Sequence, residues 1–267
     1  MKQKILFACT VLLALGACKD RSSDDTSDSS AAAIPAPVMM NYSIVKVYPH
    51  DTASYTQGLI WYNNTFYEGT GLYGESKLLQ VDLNNGKSSK RIDLSKDYFG
   101  EGITIFNNKI YQLTWQEHKV FVYDLATFKK TGEFNWPYEG WGLTHDGKQL
   151  LVSTGGNNIY YVNPETFAIE KTLGVSDNNG YVSNINELEY VNGMIYANQY
   201  ETNYILKINA ATGLVEGRMD LSGILEKTNQ PFYSNRDYMN GIAYDAAKNS
   251  FYVTGKKWPA LYEIKLN

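Results

Sequence analysis

A carboxylate between two glycines opens a β-branched run at Phe99-Gly100-Glu101-Gly102, which continues as Ile103-Thr104-Ile105-Phe106. Glycine weakens a strand and marks close backbone approach, so a charge at that point needs a reason. The reason is that the chain repeats the motif. Gln57-Gly58-Leu59-Ile60-Trp61, Glu101-Gly102-Ile103-Thr104-Ile105, Trp141-Gly142-Leu143-Thr144-His145, Asn186-Glu187-Leu188-Glu189-Tyr190 and Asn240-Gly241-Ile242-Ala243-Tyr244 follow one another. Their spacing is about 40 to 55 residues, the period of propellers and other repeat architectures.

Each copy runs into a polar turn: Asn63-Asn64, Asn107-Asn108, Asp146-Gly147, Asn192-Gly193 and Lys248-Asn249. Asn-Asn and Asn-Gly suit tight hairpins because these residues tolerate positive φ. A second strand follows each turn, around Tyr67, Tyr111, Leu151, Tyr196 and Tyr252. A third strand is expected at 78–83, 120–125, 159–163, 205–209 and 261–266, and a fourth at 90–94, 132–136, 170–175 and 216–221. The fifth copy has no fourth strand, but residues 43–48 supply a strand ahead of the first repeat. Donated to the last blade, that strand would close the ring and remove a free edge. The reading is an all-β, five-bladed β-propeller of four-stranded blades, its last blade closed by the N-terminal strand. Residues 222–239 break the repeat and read as a short helical or irregular insertion over one end.

Met1-Lys2-Gln3-Lys4 and the apolar run 5–15 form a signal-peptide pattern, too short to span a bilayer. Leu15-Gly16-Ala17-Cys18 resembles a bacterial lipobox. The expectation is therefore a lipoprotein signal over 1–17, lipidation at Cys18 and attachment to the outer membrane of a bacterial cell envelope, on its periplasmic or surface face. An ordinary signal peptide with an incidental cysteine is the alternative. Cys9 would leave with the signal, so Cys18 has no disulfide partner. Residues 18–40, rich in Ser, Asp, Ala and Pro, read as a disordered tether, and 41–267 as one propeller domain, expected to be a monomer. A net charge of −4 carries no nucleic-acid footprint.

In a propeller the first strand of each blade lines the central channel, so positions of equal register form rings. The residues that open these strands are Gln57, Glu101, Trp141, Asn186 and Asn240. Four residues past the second-strand positions named above lie Gly71, Trp115, Gly155, Tyr200 and Lys256, which should border the first ring. Aromatic walls with a few placed polar groups are the composition of a binding pocket. Each member also has a plain structural explanation. Glu101 and Lys256 could form an ion pair, Trp115 and Trp141 could be packing between blades, and the amides could satisfy strand-end backbone groups. The coincidence of all these types in one register favours a site.

The three histidines, His50, His118 and His145, fall outside both rings, and no His/Cys cluster has metal-ligand spacing. Glu101, Asn186 and Asn240 offer hard oxygens that suit calcium, so a structural calcium stays open, although a lysine on the same rim argues against it.

Several stretches together are similar to the plant-type glutaminyl cyclases, also found in bacteria. They are Tyr55-Thr56-Gln57-Gly58-Leu59, Gly71-Leu72-Tyr73-Gly74-Glu75-Ser76, Tyr98-Phe99-Gly100-Glu101-Gly102, Gly140-Trp141-Gly142-Leu143, Asn186-Glu187-Leu188-Glu189-Tyr190 and Thr254-Gly255-Lys256-Lys257-Trp258-Pro259. The resemblance implies a five-bladed propeller that converts the N-terminal glutamine of peptides or proteins to pyroglutamate with release of ammonia, without a catalytic metal. It implies Glu101 as the catalytic acid/base, Lys256 as an essential lysine, and Gln57, Tyr55, Phe99, Trp115, Trp141, Asn186 and Tyr200 as the substrate pocket. Tyr200 stands where the plant enzymes have tryptophan, and Tyr55 where they have phenylalanine.

Cyclisation is intramolecular, so the protein needs to supply only a folded-back conformer, a proton shuttle and charge stabilisation. On this reading Lys256 or the Gln57 amide would face the developing oxyanion. Two rival readings are a propeller that only binds peptide N-termini and a calcium-dependent lactonase.

Overall fold

The computed structural model describes residues 33–267. The signal segment, Cys18 and most of the expected tether lie outside the described residues. Five sheets of at least four strands follow one another along the chain. Their innermost strands are Thr56–Tyr62, Gly100–Phe106, Leu143–His145, Ile185–Val191 and Met239–Asp245. Each of these neighbours the next, and the fifth neighbours the first. This is a five-bladed propeller.

The second strands show why such a sequence makes blades. Phe66 and Tyr67 are consecutive and so point to opposite faces of their sheet. Phe66 packs into the core shared with the last blade, and Tyr67 into the core shared with the second. The molecule has one such apolar cluster between each pair of adjacent blades. Both faces of the second and third strands are buried and carry apolar side chains, whereas the outermost strands Ser88–Asp93 and Lys130–Asn135 are exposed and polar.

The turns follow their side chains. Asn63, Asn64, Asn107, Asn108 and Asn192 all take positive φ between 49° and 59°, the geometry of a two-residue hairpin that matches strand twist. Between third and fourth strands, Asp82, Asp124, Asn163 and Asn209 each accept backbone N–H groups two or three residues on. These are Asx turns, which fold the outer hairpin locally.

Tyr42–Pro49 pairs antiparallel with Ala260–Leu266 and is the outermost strand of the last blade. His50 latches this strand to the first blade. Its Nδ1 faces the Trp258 carbonyl at 2.7 Å and its Nε2 faces Glu68 Oε1 at 3.0 Å. The same region carries the Lys257 N–H to Ser54 carbonyl bond at 2.7 Å, which ties down the loop that begins at Lys256.

Two elements lie beyond the sequence reading. Val38–Met39 adds a parallel fifth strand against Gly217 and Arg218, so the ordered chain begins before residue 41; an exposed blade edge offers free backbone groups whatever the composition of the strand that takes them. Ser176–Asp177 and Gly180–Tyr181 form a small separate hairpin. The interruption after residue 221 holds a one-turn helix, Ile224–Lys227, followed by irregular chain.

Candidate active site

Four of the five innermost strands carry a register irregularity at the ring position. It falls between Thr56 and Gly58, Gly100 and Ile103, Ile185 and Leu188, and Met239 and Ile242. A bulge leaves one residue unpaired and re-aims its side chain, here Gln57, Glu101, Asn186 and Asn240. The glycine that follows permits the turn inward. A Cβ on Gly102 would lie 2.5 Å from the Trp141 carbonyl oxygen, and the Gly102 N–H donates to that oxygen at 2.8 Å. Blade four has Glu187 in the glycine's place. Its carboxylate crosses to accept the backbone N–H of Leu59 at 3.1 Å and of Ile242 at 2.8 Å.

A cavity of about 210 Å³ lies over this ring, lined by Tyr55, Gln57, Phe99, Glu101, Trp115, Trp141, Asn186, Tyr200 and Lys256. Every residue expected of the pocket is in it, and all five blades contribute. Asn240 is buried beside it and does not line it. Gly71 and Gly155, the other members of the second ring, leave room for aromatic walls: a Cβ at either would run into Phe99 or Trp141. Tyr55, Phe99 and Trp115 make one wall, with ring centroids 6.2 and 5.5 Å apart. Trp141 and Tyr200, 5.4 Å apart, make another.

Glu101 is 5% exposed. Burial drives its pKa well above the ordinary carboxylate value; the Lys256 charge opposes this, and Glu139 and Glu117 add to it. Gln57 Nε2 donates to Glu101 Oε1 at 3.1 Å, while Asn240 Nδ2 donates to both the Thr56 carbonyl and Gln57 Oε1 at 3.1 Å. A backbone carbonyl can only accept, so it orients Asn240, and Asn240 in turn orients Gln57 with its NH₂ toward Glu101. Among the described residues Glu101 Oε2 has no hydrogen-bond partner.

The alternative of a structural ion pair is not realised: among the described residues no salt bridge joins Lys256 to Glu101. The Lys256 ammonium lies instead between two rings, 4.8 Å from the centroid of Tyr55 and 4.7 Å from that of Tyr200. Cation–π attraction holds a charge that burial disfavours, and burial lowers the lysine pKa against the charges of Glu101 and Asp237. The tyrosine hydroxyls also have uses. Tyr55 Oη donates to Asp237 Oδ2 at 2.7 Å, and burial, then this bond, pushes its pKa up.

Sequence reasoning missed Glu139. Its Oε2 accepts the indole N–H of Trp115 at 2.8 Å and of Trp141 at 3.1 Å, and its Oε1 accepts from Gln116 at 3.0 Å. Burial would raise its pKa, but the three hydrogen bonds outweigh that and hold it below the ordinary value. One loop carboxylate thus orients both tryptophans. Only its position two residues before Trp141 hinted at this.

A propeller whose axial pocket gathers one carboxylic acid, one lysine and a cage of rings is built for acid–base work on a small polar group. The glutamine cyclotransferase family model matches residues 11–266. The Arabidopsis thaliana glutaminyl-peptide cyclotransferase is 37% identical over 225 residues, which span 84% of this chain and 70% of that protein. The solved Myxococcus xanthus glutaminyl cyclase superposes with a TM-score of 0.80 at 32% identity, covering 86% of this chain and 98% of the other. This chain belongs to the glutamine cyclotransferase family.

Proposed function

We propose that this protein is a glutaminyl-peptide cyclotransferase that takes peptides or proteins with an N-terminal glutamine, with Glu101 as its proton shuttle. The observation that carries the role of Glu101 is its asymmetry: Oε1 is held by Gln57, and Oε2, unbonded among the described residues, belongs to a side chain that lines an aromatic-walled cavity. The substrate α-amine nitrogen attacks the carbon of its own side-chain carboxamide. A C–N bond forms, and the carbonyl π electrons move to oxygen. Glu101 Oε2, starting as carboxylate, accepts a proton from the attacking nitrogen and delivers it to the departing one. The tetrahedral centre then collapses, the other C–N bond breaks, and ammonia leaves a five-membered lactam. A carboxyl with a raised pKa is a stronger base near neutral pH and a ready acid afterwards.

The Lys256 ammonium, in no salt bridge among the described residues, faces the charge that develops on the substrate oxygen. Gln57 donates to Glu101, which makes it the holder of the base and leaves the oxyanion to Lys256. The rings of Trp115, Trp141 and Tyr200 fold the glutaminyl side chain back on itself and exclude water.

The site chemistry runs without a catalytic metal on this reading. The N-terminal signal pattern and Cys18 support a lipid-anchored protein of the bacterial cell envelope. The test is ammonia release from Gln-initiated peptides, with and without EDTA. Release unaffected by chelation is expected. Peptide binding without release would leave a binding propeller, and EDTA-sensitive ester hydrolysis would indicate a lactonase.

A further inference from the structure

A groove of about 540 Å³ adjoins the pocket across Asp237 and Tyr238. Buried apolar side chains make its floor, among them Leu221, Leu225, Met239 and Trp258. Its outer wall comes from the segment that interrupts the repeat, which no four-stranded blade needs.

Groove and pocket share their dividing wall. Asp237 lines the groove and takes the hydroxyl of Tyr55 from the pocket at 2.7 Å. Tyr238 lines the groove and meets the ring of Tyr200 at 5.3 Å. Trp258 in the floor donates its indole N–H to the Asp237 carbonyl at 2.9 Å. An extended peptide advances roughly 3.3 Å per residue and alternates its side chains. A substrate with its glutamine in the pocket therefore carries its second and third residues within about 10 Å of it.

We propose that the groove receives the side chain of the second or third residue of the peptide substrate, and that it favours an apolar one. The proposal rests on the cyclotransferase reading and names where the rest of the peptide goes. The charged groups of the groove are already engaged. Arg236 is bonded to Glu226 at 2.7 Å, and the two Asp237 oxygens accept the Tyr55 hydroxyl and the Tyr238 N–H. A charged side chain would compete with these contacts, whereas the apolar floor favours an aliphatic or aromatic one.

The experiment compares kcat/KM for glutaminamide, Gln-Gly-Gly-amide, Gln-Leu-Gly-amide and Gln-Gly-Leu-amide. The enzymes are the wild type and two variants that fill the groove from its exposed rim, Asn203→Trp and Glu226→Trp. Leucine at one of the two positions is expected to raise kcat/KM on the order of tenfold over glycine. The fillers should abolish that gain and leave glutaminamide turnover unchanged. No gain from leucine, or a gain that survives both fillers, overturns the proposal. So does a change of oligomeric state in the fillers with selectivity intact, which would assign the groove to a second copy of the chain. Absence of turnover with every substrate, glutaminamide included, overturns the cyclotransferase reading and the groove's role with it.

Discussion

Gln57 gives Glu101 a single hydrogen bond, from Nε2 to Oε1 at 3.1 Å, and the other carboxyl oxygen receives none from the described residues. A base held by one oxygen and free on the other is positioned without being neutralised. Glu101→Gln should therefore keep the Gln57 contact and lose the proton shuttle. Turnover is expected to fall by a factor of ~10²–10⁴. Near wild-type turnover in this variant would remove Glu101 from the mechanism.

The same residue links activity to pH and stability. Its folded pKa lies well above the ordinary 4.5, so the folded carboxyl keeps a proton that the unfolded one has lost. Stability is then highest below the unfolded pKa and declines as pH rises through the folded one. Glu101→Gln removes this burden and should melt no lower than the wild type at pH 7. In the wild type, the acid limb of kcat/KM should sit above 4.5, because catalysis needs the carboxylate. Thermal melts and a pH–rate profile test both statements.

Lys256 breaks no ion pair when it is replaced, because it lies between the Tyr55 and Tyr200 rings. Lys256→Met can pack in the same slot, so its midpoint of unfolding should change little. Loss of charge stabilisation in the transition state should lower kcat and kcat/KM together by ~10²–10³-fold. A markedly lower midpoint with unimpaired kcat would give the lysine a structural role only.

Glu139 is predicted to act through the two tryptophans. Glu139→Ala strands both indole N–H groups, and the loosened wall should raise KM and alter tryptophan fluorescence. Glu139→Gln removes a negative charge that pushes the Glu101 pKa up, so the acid limb of kcat/KM should move to lower pH. An acid limb that stays in place would show that Glu139 exerts no electrostatic influence on the base.

His50 faces an acceptor at each ring nitrogen, which calls for the doubly protonated, charged form. Burial opposes that charge, but Glu68 outweighs it and the His50 pKa is raised above 6.5. The latch therefore stabilises fully below about 6.5 and weakens as pH rises through the folded pKa. His50→Leu leaves the buried Glu68 carboxylate with only the Thr56 and Ser54 hydroxyls and no cationic partner, a loss of up to ~3–5 kcal/mol while His50 is charged. Melting midpoints of the two proteins should converge as pH rises, and parallel curves would argue against the latch.

Attachment to the membrane is tested at Cys18. Cys18→Ala should release an active protein into the soluble fraction, because lipidation needs that thiol. Retention with membranes after a high-salt wash would refute the lipobox reading.

The sequence determined the fold because a propeller is written in local signals. The Asn-Asn and Asn-Gly hairpins, the Asx turns and the two-sided apolar strands each act within about ten residues, and five copies at one period leave one architecture. It also determined which side chains meet, since equal register in symmetric blades means equal height in the channel. Gln57, Glu101, Trp115, Trp141, Asn186, Tyr200 and Lys256 were legible for that reason.

What the tertiary structure decided depends on loops and on groups far apart in the chain. Register places Lys256 and Glu101 at one mouth, but only packing sets the ammonium between two tyrosine rings and not in a salt bridge with the carboxylate. The clamp of Glu139 on both tryptophans and the tie of Asp237 to Tyr55 are made by loop residues, whose direction no periodicity encodes. Val38–Met39 joined a blade edge because unpaired backbone groups attract any extended segment, whatever its side chains. Strand register follows from a two-residue alternation that the sequence carries, whereas the reach of a loop side chain depends on the neighbours it meets only after the blades have closed.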